Sequence, residues 1–319
     1  MAVAGRGDEL GEGRRLPRLP PTVACFPKNE CAILPAMKRH ALFVGVNTYD
    51  DKTIRPLRFS IPDAAILADR FEGLGFRARL LPDPTAAQMT AAVEETVAGL
   101  GPGDVFLSFF SGHGFTSQDG AHLLFCRDDR ERLLQVNGAG TRVDALELLT
   151  AGPFHRAFLL DSCRSDALAG IADKGAAAGK DIDNIAVPPC EGSTFILRSC
   201  RRFLPSLEID RFGHGLFTRG LLDAIDGRDA RLAECGSDFA NGVASRMSAR
   251  AAEAGIGARQ VPSSTLEGPA FSLFAPGFAV AAPVSAPALV ICPACGKKNR
   301  PEDTFRCRAC GRDNLCLRH

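Results

Sequence analysis

Short apolar runs, separated by amphipathic segments, constrain the fold more than any other feature of this sequence. They cover residues 41–46, 105–110, 158–160 and 194–197, and each is almost uninterrupted by polar side chains. Such runs are typical of strands that are buried on both faces, as the strands of a parallel sheet are. Their alternation with helical segments predicts an α/β fold whose mainly parallel sheet is covered by helices on both faces.

The segments between the runs have the periodicity and the capping residues of helices. Helices are predicted at residues 60–73, 85–100, 141–150, 214–225 and 237–254, and a half-exposed strand at residues 76–80. The first helix places Leu67 and Phe71 on one face, and in the second Thr85 and Gln88 form the sequence pattern of a capping box. We therefore expect these helices to pack an apolar face against the sheet.

Changes in composition divide the chain into four predicted parts. Residues 1–37 are rich in Gly, Pro and Arg without an apolar period, which predicts a flexible extension. Residues 38–276 contain the alternating strands and helices of the main domain. Residues 277–290 form a linker of mostly Ala and Pro, and residues 291–319 form a small second module.

Charge and hydropathy argue against several classes of protein. The chain has 38 Lys and Arg against 37 Asp and Glu, so its net charge of +1 does not suggest a dedicated nucleic-acid binder. The longest apolar stretch, residues 279–291, is too short for a membrane helix and is interrupted by Pro283 and Pro287. Residues 1–36 lack the apolar core of a signal peptide. We therefore expect a cytoplasmic protein without membrane contact.

The most informative polar residues follow two of the apolar runs. Residues 111–114 read S-G-H-G after the second run, and residues 161–164 read D-S-C-R after the third. Because ligands of open α/β sheets bind beyond the carboxyl ends of the strands, His113 and Cys163 are expected at the same edge. A thiol is mostly protonated at neutral pH, and a neighbouring imidazole activates it by accepting the proton. We predict Cys163 as a nucleophile and His113 as its acid/base.

Further predictions concern the main chain at Gly114 and Cys163 and the other cysteine and histidine side chains. The N–H groups of Gly114 and Cys163 are expected to face a developing oxyanion. Cys200 follows the fourth apolar run and remains an alternative nucleophile, although a small packed residue also fits that position. Histidines without a reactive partner in the sequence pattern are expected at the surface, at loop ends or at a helix start: His122, His155 and His214.

At these residues the sequence resembles the caspase-like cysteine peptidases, specifically the metacaspase and bacterial orthocaspase branch. That branch carries S-G-H-G after one strand and D-x-C-H-S-G after a later one, as residues 111–114 and 161–165 do in part here. Further matches are residues 41–47 to its first strand, 62–64 to its N-D-A helix start and 214–218 to its H-G-x-F-T helix. The resemblance implies a caspase-like three-layer α/β/α sandwich and an endopeptidase that acts on proteins or peptides.

The resemblance also implies a substrate preference. In the metacaspase branch the aspartate two residues before the nucleophile, here Asp161, lines the pocket for the side chain that precedes the scissile bond. A second acidic residue comes from the loop after the next strand, and Glu208 is the best match for it. Two carboxylates favour a guanidinium, so cleavage after Arg, and then Lys, is expected. Ca²⁺ is a further candidate cofactor, which the sequence does not show.

Two departures from the family pattern support a second hypothesis. Arg164 replaces the usual His after the nucleophile, and Asp166 replaces the usual Gly. Both changes favour a catalytically inactive adaptor or scaffold protein of the same fold, whereas the intact His113 and Cys163 favour a peptidase. The hypotheses differ in whether the protein hydrolyses peptides.

Two C-x-x-C-G motifs near the end of the sequence predict a metal site. Cys292, Cys295, Cys307 and Cys310 have the spacing of a zinc ribbon, in which four thiolates hold Zn²⁺ without an open position for catalysis. The metal would supply folding energy that so small a module cannot obtain from its core. Two redox-active cysteine pairs are the alternative. We expect a structural ribbon that binds a protein partner.

Overall fold

The computed structural model describes residues 37–117, 120–130, 140–163, 192–201, 206–256, 260–275 and 278, and the backbone of residues 23–24, 32–33, 290–291 and 298–299. The chain divides into two compact units, residues 1–37 and residues 38–319. In the first unit, strands β1 (Val23–Ala24) and β2 (Ala32–Ile33) pair antiparallel. The other described elements belong to the second unit.

Strands and helices alternate along most of the second unit, as the sequence predicts. In chain order, its described elements are β3 (Arg39–Gly45), α1 (Ser60–Gly73), β4 (Arg77–Pro82), α2 (Ala86–Val97), β5 (Val105–Ser111), β6 (Gly114–Thr116), β7 (His122–Leu124), β8 (Thr141–Arg142), α3 (Val143–Leu149), β9 (His155–Asp161), β10 (Thr194–Arg198), β11 (Glu208–Ile209), β12 (His214–Gly215), α4 (Leu216–Asp226), a 3₁₀ helix (Ala230–Leu232), α5 (Ser237–Glu253), β13 (Ser263–Glu267), β14 (Val290–Ile291) and β15 (Lys298–Asn299). Among the described residues, no helix is both long enough and apolar enough to span a membrane.

The central sheet has, within the described part of the chain, six strands in the order β13-β10-β9-β5-β3-β4. Neighbouring strands are parallel except β10 and β13, which pair antiparallel. The predicted mainly parallel sheet is therefore confirmed. The sequence did not reveal the edge strand β13, because its residues S-S-T-L-E are largely polar and only partly buried.

Helices cover both faces of the sheet. Alternate residues of β5 enter different cores: Leu107 and Phe109 belong to the core shared with α1, α4 and α5, and Phe106 and Phe110 to the core shared with α2 and α3. All four side chains are fully buried. Burial on both faces explains why β5 is a nearly continuous apolar run. The predicted three-layer α/β/α sandwich is confirmed.

The helix starts agree with the sequence at α2 and differ at α4. The Thr85 hydroxyl accepts the Gln88 N–H at 3.2 Å, and the Gln88 side chain accepts the Thr85 N–H at 2.9 Å, so the predicted capping box is present. Helix α4 begins at Leu216 rather than at His214, because His214 and Gly215 form β12 and pair with β11. His214 is fully buried.

A small antiparallel sheet of β6, β7 and β8 follows the end of β5. Its strands contain two or three residues each, too few to show a sequence period, so it was not predicted. Gly112 and His113 connect β5 to β6. The small sheet therefore begins directly after the predicted acid/base.

Candidate active site

Two loops that leave neighbouring strands meet at one cleft. Strands β5 and β9 are parallel and adjacent, with Ser111 opposite Asp161 at their carboxyl ends. The Gly112 N–H donates to the Asp161 carbonyl at 3.2 Å, so the loops remain joined beyond the strands. The cleft has a volume of about 690 Å³, and His113 and Cys163 both line it. The structure thus brings together the two residues that the strand ends predict.

The main chain of a neighbouring loop orients the imidazole of His113. Its Nε2 lies 2.8 Å from the carbonyl oxygen of Arg55. Because a carbonyl can only accept a hydrogen bond, Nε2 carries the proton and Nδ1 is the basic nitrogen of the neutral ring. Burial, the largest effect on this group, lowers the pKa of His113 below its ordinary value. The imidazole is therefore neutral near pH 7 and can accept a proton.

Tyr49, which the sequence analysis did not single out, holds the main chain of His113. Its hydroxyl oxygen accepts the His113 N–H at 3.0 Å, and the two rings lie 5.3 Å apart. Tyr49 is buried, so its hydroxyl is a fixed acceptor. Its position after the first apolar run, as the one tyrosine of the sequence, was the available signal.

Cys163 is half-buried and presents its sulfur to the cleft. Burial raises the pKa of its thiol above the ordinary value, and the charges of Asp161 and Glu208 act in the same direction. The Ser206 N–H, 3.2 Å from Sγ, acts in the opposite direction because it stabilises the thiolate. The thiol is therefore protonated at rest and needs a base, which the neutral imidazole of His113 can provide.

Gly114 lets the two loops approach closely. A Cβ atom at this position would lie 2.8 Å from the Cys163 carbonyl oxygen, so any larger residue would push the loops apart. The Phe125 N–H donates to the His113 carbonyl at 3.1 Å, and hydrogen-bonded positions alternate along an antiparallel ladder. Gly114 therefore occupies a non-hydrogen-bonded position of the β6–β7 pair. The ladder does not use its N–H, as the predicted oxyanion role requires.

Asp161, at the end of β9, lines the cleft from its buried side. Asp161 is 5% exposed, and its carboxylate accepts hydrogen bonds from the hydroxyls of Ser206 and Thr218. Burial raises the pKa of Asp161 to about 7, and the neighbouring Asp63 is the next cause. A cation placed beside this carboxyl would favour its ionised form.

A second buried carboxylate, Asp63, lies beside Asp161 and was not predicted as a site residue. It accepts the Gly215 N–H at 2.9 Å, and burial raises its pKa. A Cβ atom on Gly215 would lie 2.8 Å from Asp161 Oδ2 and 3.0 Å from Asp63 Oδ2, so both carboxylates converge where glycine leaves space. The sequence signal was an aspartate on the apolar face of α1, four residues before Leu67.

His214 was expected to lack a reactive partner, and this expectation is wrong. The side chain is fully buried, and its Nδ1 lies 2.6 Å from Asp63 Oδ1. The two residues are 151 positions apart in the sequence, which is why no local pattern joined them. His214 therefore partners one of the two acids beneath the cleft.

Glu208, the predicted second acid of the pocket, lines the exposed side of the cleft. Its Oε1 accepts the main-chain N–H groups of Phe59, at 3.0 Å, and Arg58, at 3.2 Å. The nearby Asp210 forms an exposed ion pair with Arg58. Glu208 thus contributes negative charge at the rim, while the carboxylate beside Asp161 is that of Asp63.

Cys200, the alternative nucleophile, lies behind the loop that carries Cys163. It is 0% exposed, and its thiol donates to the Ser162 carbonyl at 3.5 Å. A substrate carbonyl cannot reach a sulfur in this position without local opening of the structure. Cys126 and Cys235 are buried as well, and burial raises the pKa of both thiols.

His122 and His155, the other two histidines for which no partner was expected, occupy very different positions. His122 was expected to lack a partner, which is wrong: it is buried in β7, and its Nε2 lies 2.9 Å from Ser162 Oγ. His155 lies at the amino end of β9, away from the cleft, and stacks on Phe271 with 4.6 Å between ring centroids. His122 is therefore the histidine that approaches the nucleophile from behind.

This chain resembles a protein-family model and solved structures, among them the following two. Residues 38–271 match the family model of the caspase domain. Protein GSU0716 from Geobacter sulfurreducens is 19% identical, with a TM-score of 0.52, and the match covers 76% of this chain and 96% of that one. Caspase-1 from Spodoptera frugiperda is 16% identical, with a TM-score of 0.49, and the match covers 72% and 86%. No curated protein matches the sequence.

Proposed function

This chain belongs to the caspase-domain family of cysteine peptidases, and we propose that it is an endopeptidase that cleaves protein or peptide substrates after Arg or Lys. Cys163 is the nucleophile, and His113 is its acid/base. The observation that carries the proposal is that the thiol of Cys163, the imidazole of His113 and the buried carboxyl group of Asp161 all line one cleft.

In the first half of the reaction, His113 Nδ1 accepts the thiol proton, and the thiolate of Cys163 attacks the scissile carbonyl carbon. The N–H groups of Gly114 and Cys163 donate to the oxyanion that forms. The proton on Nδ1 passes to the leaving amine as the C–N bond breaks, which leaves a thioester on Cys163. The Arg55 carbonyl stabilises the intervening imidazolium, because it keeps its hydrogen bond to the Nε2 proton.

In the second half, water replaces the departed amine. His113 Nδ1 accepts a proton from the water, whose oxygen attacks the thioester carbonyl. The C–S bond then breaks, the proton returns to the sulfur of Cys163, and the carboxylic acid product leaves. The same two side chains therefore serve both halves.

The acidic side chains that line the cleft support the preference for a cationic side chain. A guanidinium can pair with the Asp161 carboxylate through two parallel hydrogen bonds, and Asp63 and Glu208 add negative charge around it. An aspartyl side chain would meet like charge in the same place. Hydrolysis of peptides with Arg, Lys or Asp before the scissile bond tests the proposal. We expect activity in the order Arg, then Lys, and a preference for Asp would contradict it.

The cysteines at 292–310 carry a separate proposal, a structural zinc ribbon that binds a protein partner. The ligands Cys292, Cys295, Cys307 and Cys310 lie outside the described residues. Strands β14 and β15, which come before and after the first C-x-x-C motif in the sequence, pair antiparallel. Four thiolates with the spacing of these two motifs can bind one ion.

We expect one Zn²⁺ per chain in protein purified without a chelator. Replacement of Cys292 with serine should lower the zinc content, because it removes one of the four thiolate ligands. Cys200→Ala is the matched control and should retain the metal, since Cys200 lies in the core of the main domain. Elemental analysis gives the measurement, and wild-type protein without zinc would contradict the ribbon.

A further inference from the structure

Behind the nucleophile, a buried histidine that the reaction does not use contacts the residue next to Cys163. His122 is 5% exposed and Ser162 is 2% exposed, and their Nε2 and Oγ atoms share a hydrogen bond of 2.9 Å. The Ser162 carbonyl in turn accepts the hydroxyl of Ser199 and the thiol of Cys200, each at 3.5 Å. Ser162 is therefore held through both its side chain and its main chain, and Cys163 follows it directly.

The hairpin that contains His122 also carries the acid/base. His113 immediately precedes β6, and β6 pairs with β7, in which His122 lies. Ser162 occupies the space next to Gly114, where a Cβ atom would stand 2.9 Å from Ser162 Oγ. The hairpin thus contacts the loop that carries Cys163 at two points. Gly114 packs against Ser162, and His122 shares a hydrogen bond with the same residue. These two contacts hold the hairpin, and with it His113, at a defined position relative to Cys163.

We propose that His122 is a positioning residue whose bond to Ser162 sets the distance between Cys163 Sγ and His113 Nδ1. This inference rests on the proposed function, because it requires Cys163 and His113 to react together. A misplacement of about 1 Å can cost about 100-fold in rate. His122 is not among the described residues that line the cleft, so the effect falls on kcat rather than on KM.

The test compares two replacements of His122. His122→Phe keeps a ring but removes the hydrogen-bonding nitrogens, whereas the amide nitrogen of His122→Gln can take the place of Nε2. For an arginyl peptide we expect kcat to fall by about 10- to 100-fold in His122→Phe, with KM within about twofold of wild type. His122→Gln should recover most of kcat. Thermal unfolding shows whether each variant is folded.

A double variant separates a shared hydrogen bond from two independent effects. Ser162→Ala should lower kcat about as much as His122→Phe does, and the double variant should lower it no further, because both changes break the same bond. If folded His122→Phe keeps the wild-type kcat, or if the two losses multiply, the proposal is wrong. Should His122→Phe not fold, Ser162→Ala, which removes one oxygen atom, tests the same bond.

Alkylation of Cys163 by iodoacetamide, located by peptide mapping, distinguishes failure of this inference from failure of the proposed function. We expect both His113→Ala and His122→Phe to slow the alkylation of Cys163 near pH 7 and to change its pH profile. If His113→Ala has no effect, the proposed dyad is wrong. If His113→Ala slows the reaction while His122→Phe leaves the rate and the profile unchanged, the dyad stands and the positioning role is wrong.

Discussion

Cys163→Ala should lower the kcat for an arginyl peptide by at least about 10³-fold, because the sulfur forms the covalent bond to the substrate. His113→Ala should have an effect of similar size, since the raised pKa of Cys163 leaves its thiol protonated without a base. The double variant should be little worse than either single variant, because the two side chains act as a unit. Initial rates with a fluorogenic peptide give the measurement.

Cys200→Ala is the matched control for this prediction. It removes a thiol of the same chemistry that is fully buried behind Ser162, so most of the activity should remain. The change tests the alternative nucleophile at the same time. Loss of turnover in Cys200→Ala together with retention in Cys163→Ala would contradict the catalytic assignment.

Asp161→Asn should lower kcat/KM for arginyl peptides by about 10²- to 4 × 10³-fold. Removing one partner of a buried charge pair costs about 3–5 kcal/mol, which corresponds to a change of that size. Peptides with an uncharged side chain before the scissile bond should be affected much less. Asp210→Asn is the matched control, because Asp210 is 71% exposed and pairs with Arg58. Full activity of Asp161→Asn on arginyl peptides would contradict the proposed specificity.

The titration of Asp161 gives this specificity a pH dependence. Because its pKa is raised to about 7, the carboxyl is neutral below that pH and ionised above it. The paired Asp63 and His214 lie beside it, so the two carboxyls titrate as a coupled group. The guanidinium binds the ionised form, and kcat/KM for arginyl peptides should therefore rise with pH through about 7.

A ratio of two substrates separates this titration from that of the catalytic pair. The protonation states of Cys163 and His113 also change with pH, but they change kcat/KM by the same factor for every substrate. The kcat/KM of an arginyl peptide divided by that of an uncharged analogue should rise through about pH 7 in the wild type. The same ratio should be flat in Asp161→Asn. A flat ratio in the wild type would contradict the role of Asp161.

The central sheet was predictable because its strands are buried on both faces. Residues 105–110 are almost uniformly apolar since alternate side chains of β5 enter both cores, and no other local structure explains so short a run equally well. The edge strand β13 and the small sheet of β6, β7 and β8 were not predictable, because they lack such a continuous apolar run. Their residues are partly polar or too few to show a period.

The site residues that come directly after a strand were predictable from the sequence. Those that depend on pairing between residues far apart in the chain were not. That His113 and Cys163 lie at one cleft was predictable, because parallel neighbouring strands deliver their ends to one edge. Asp63 and His214 meet across 151 residues, and each looks locally like part of a helix start. A polar residue on an apolar face is the one local sign that such a partner exists, because burial of an unpaired polar group is costly.

A peptidyl arginine chloromethyl ketone tests the central claim most directly, because labelling requires both the recognised cation and the activated thiol. We predict one covalent adduct on the wild-type protein, located at Cys163 by peptide mapping. The same reagent should label His113→Ala only weakly, and the aspartyl analogue of the reagent should label the wild-type protein only weakly. An adduct on Cys200, faster labelling by the aspartyl reagent, or no adduct on the folded wild-type protein would contradict the assignment of an arginine-directed cysteine peptidase.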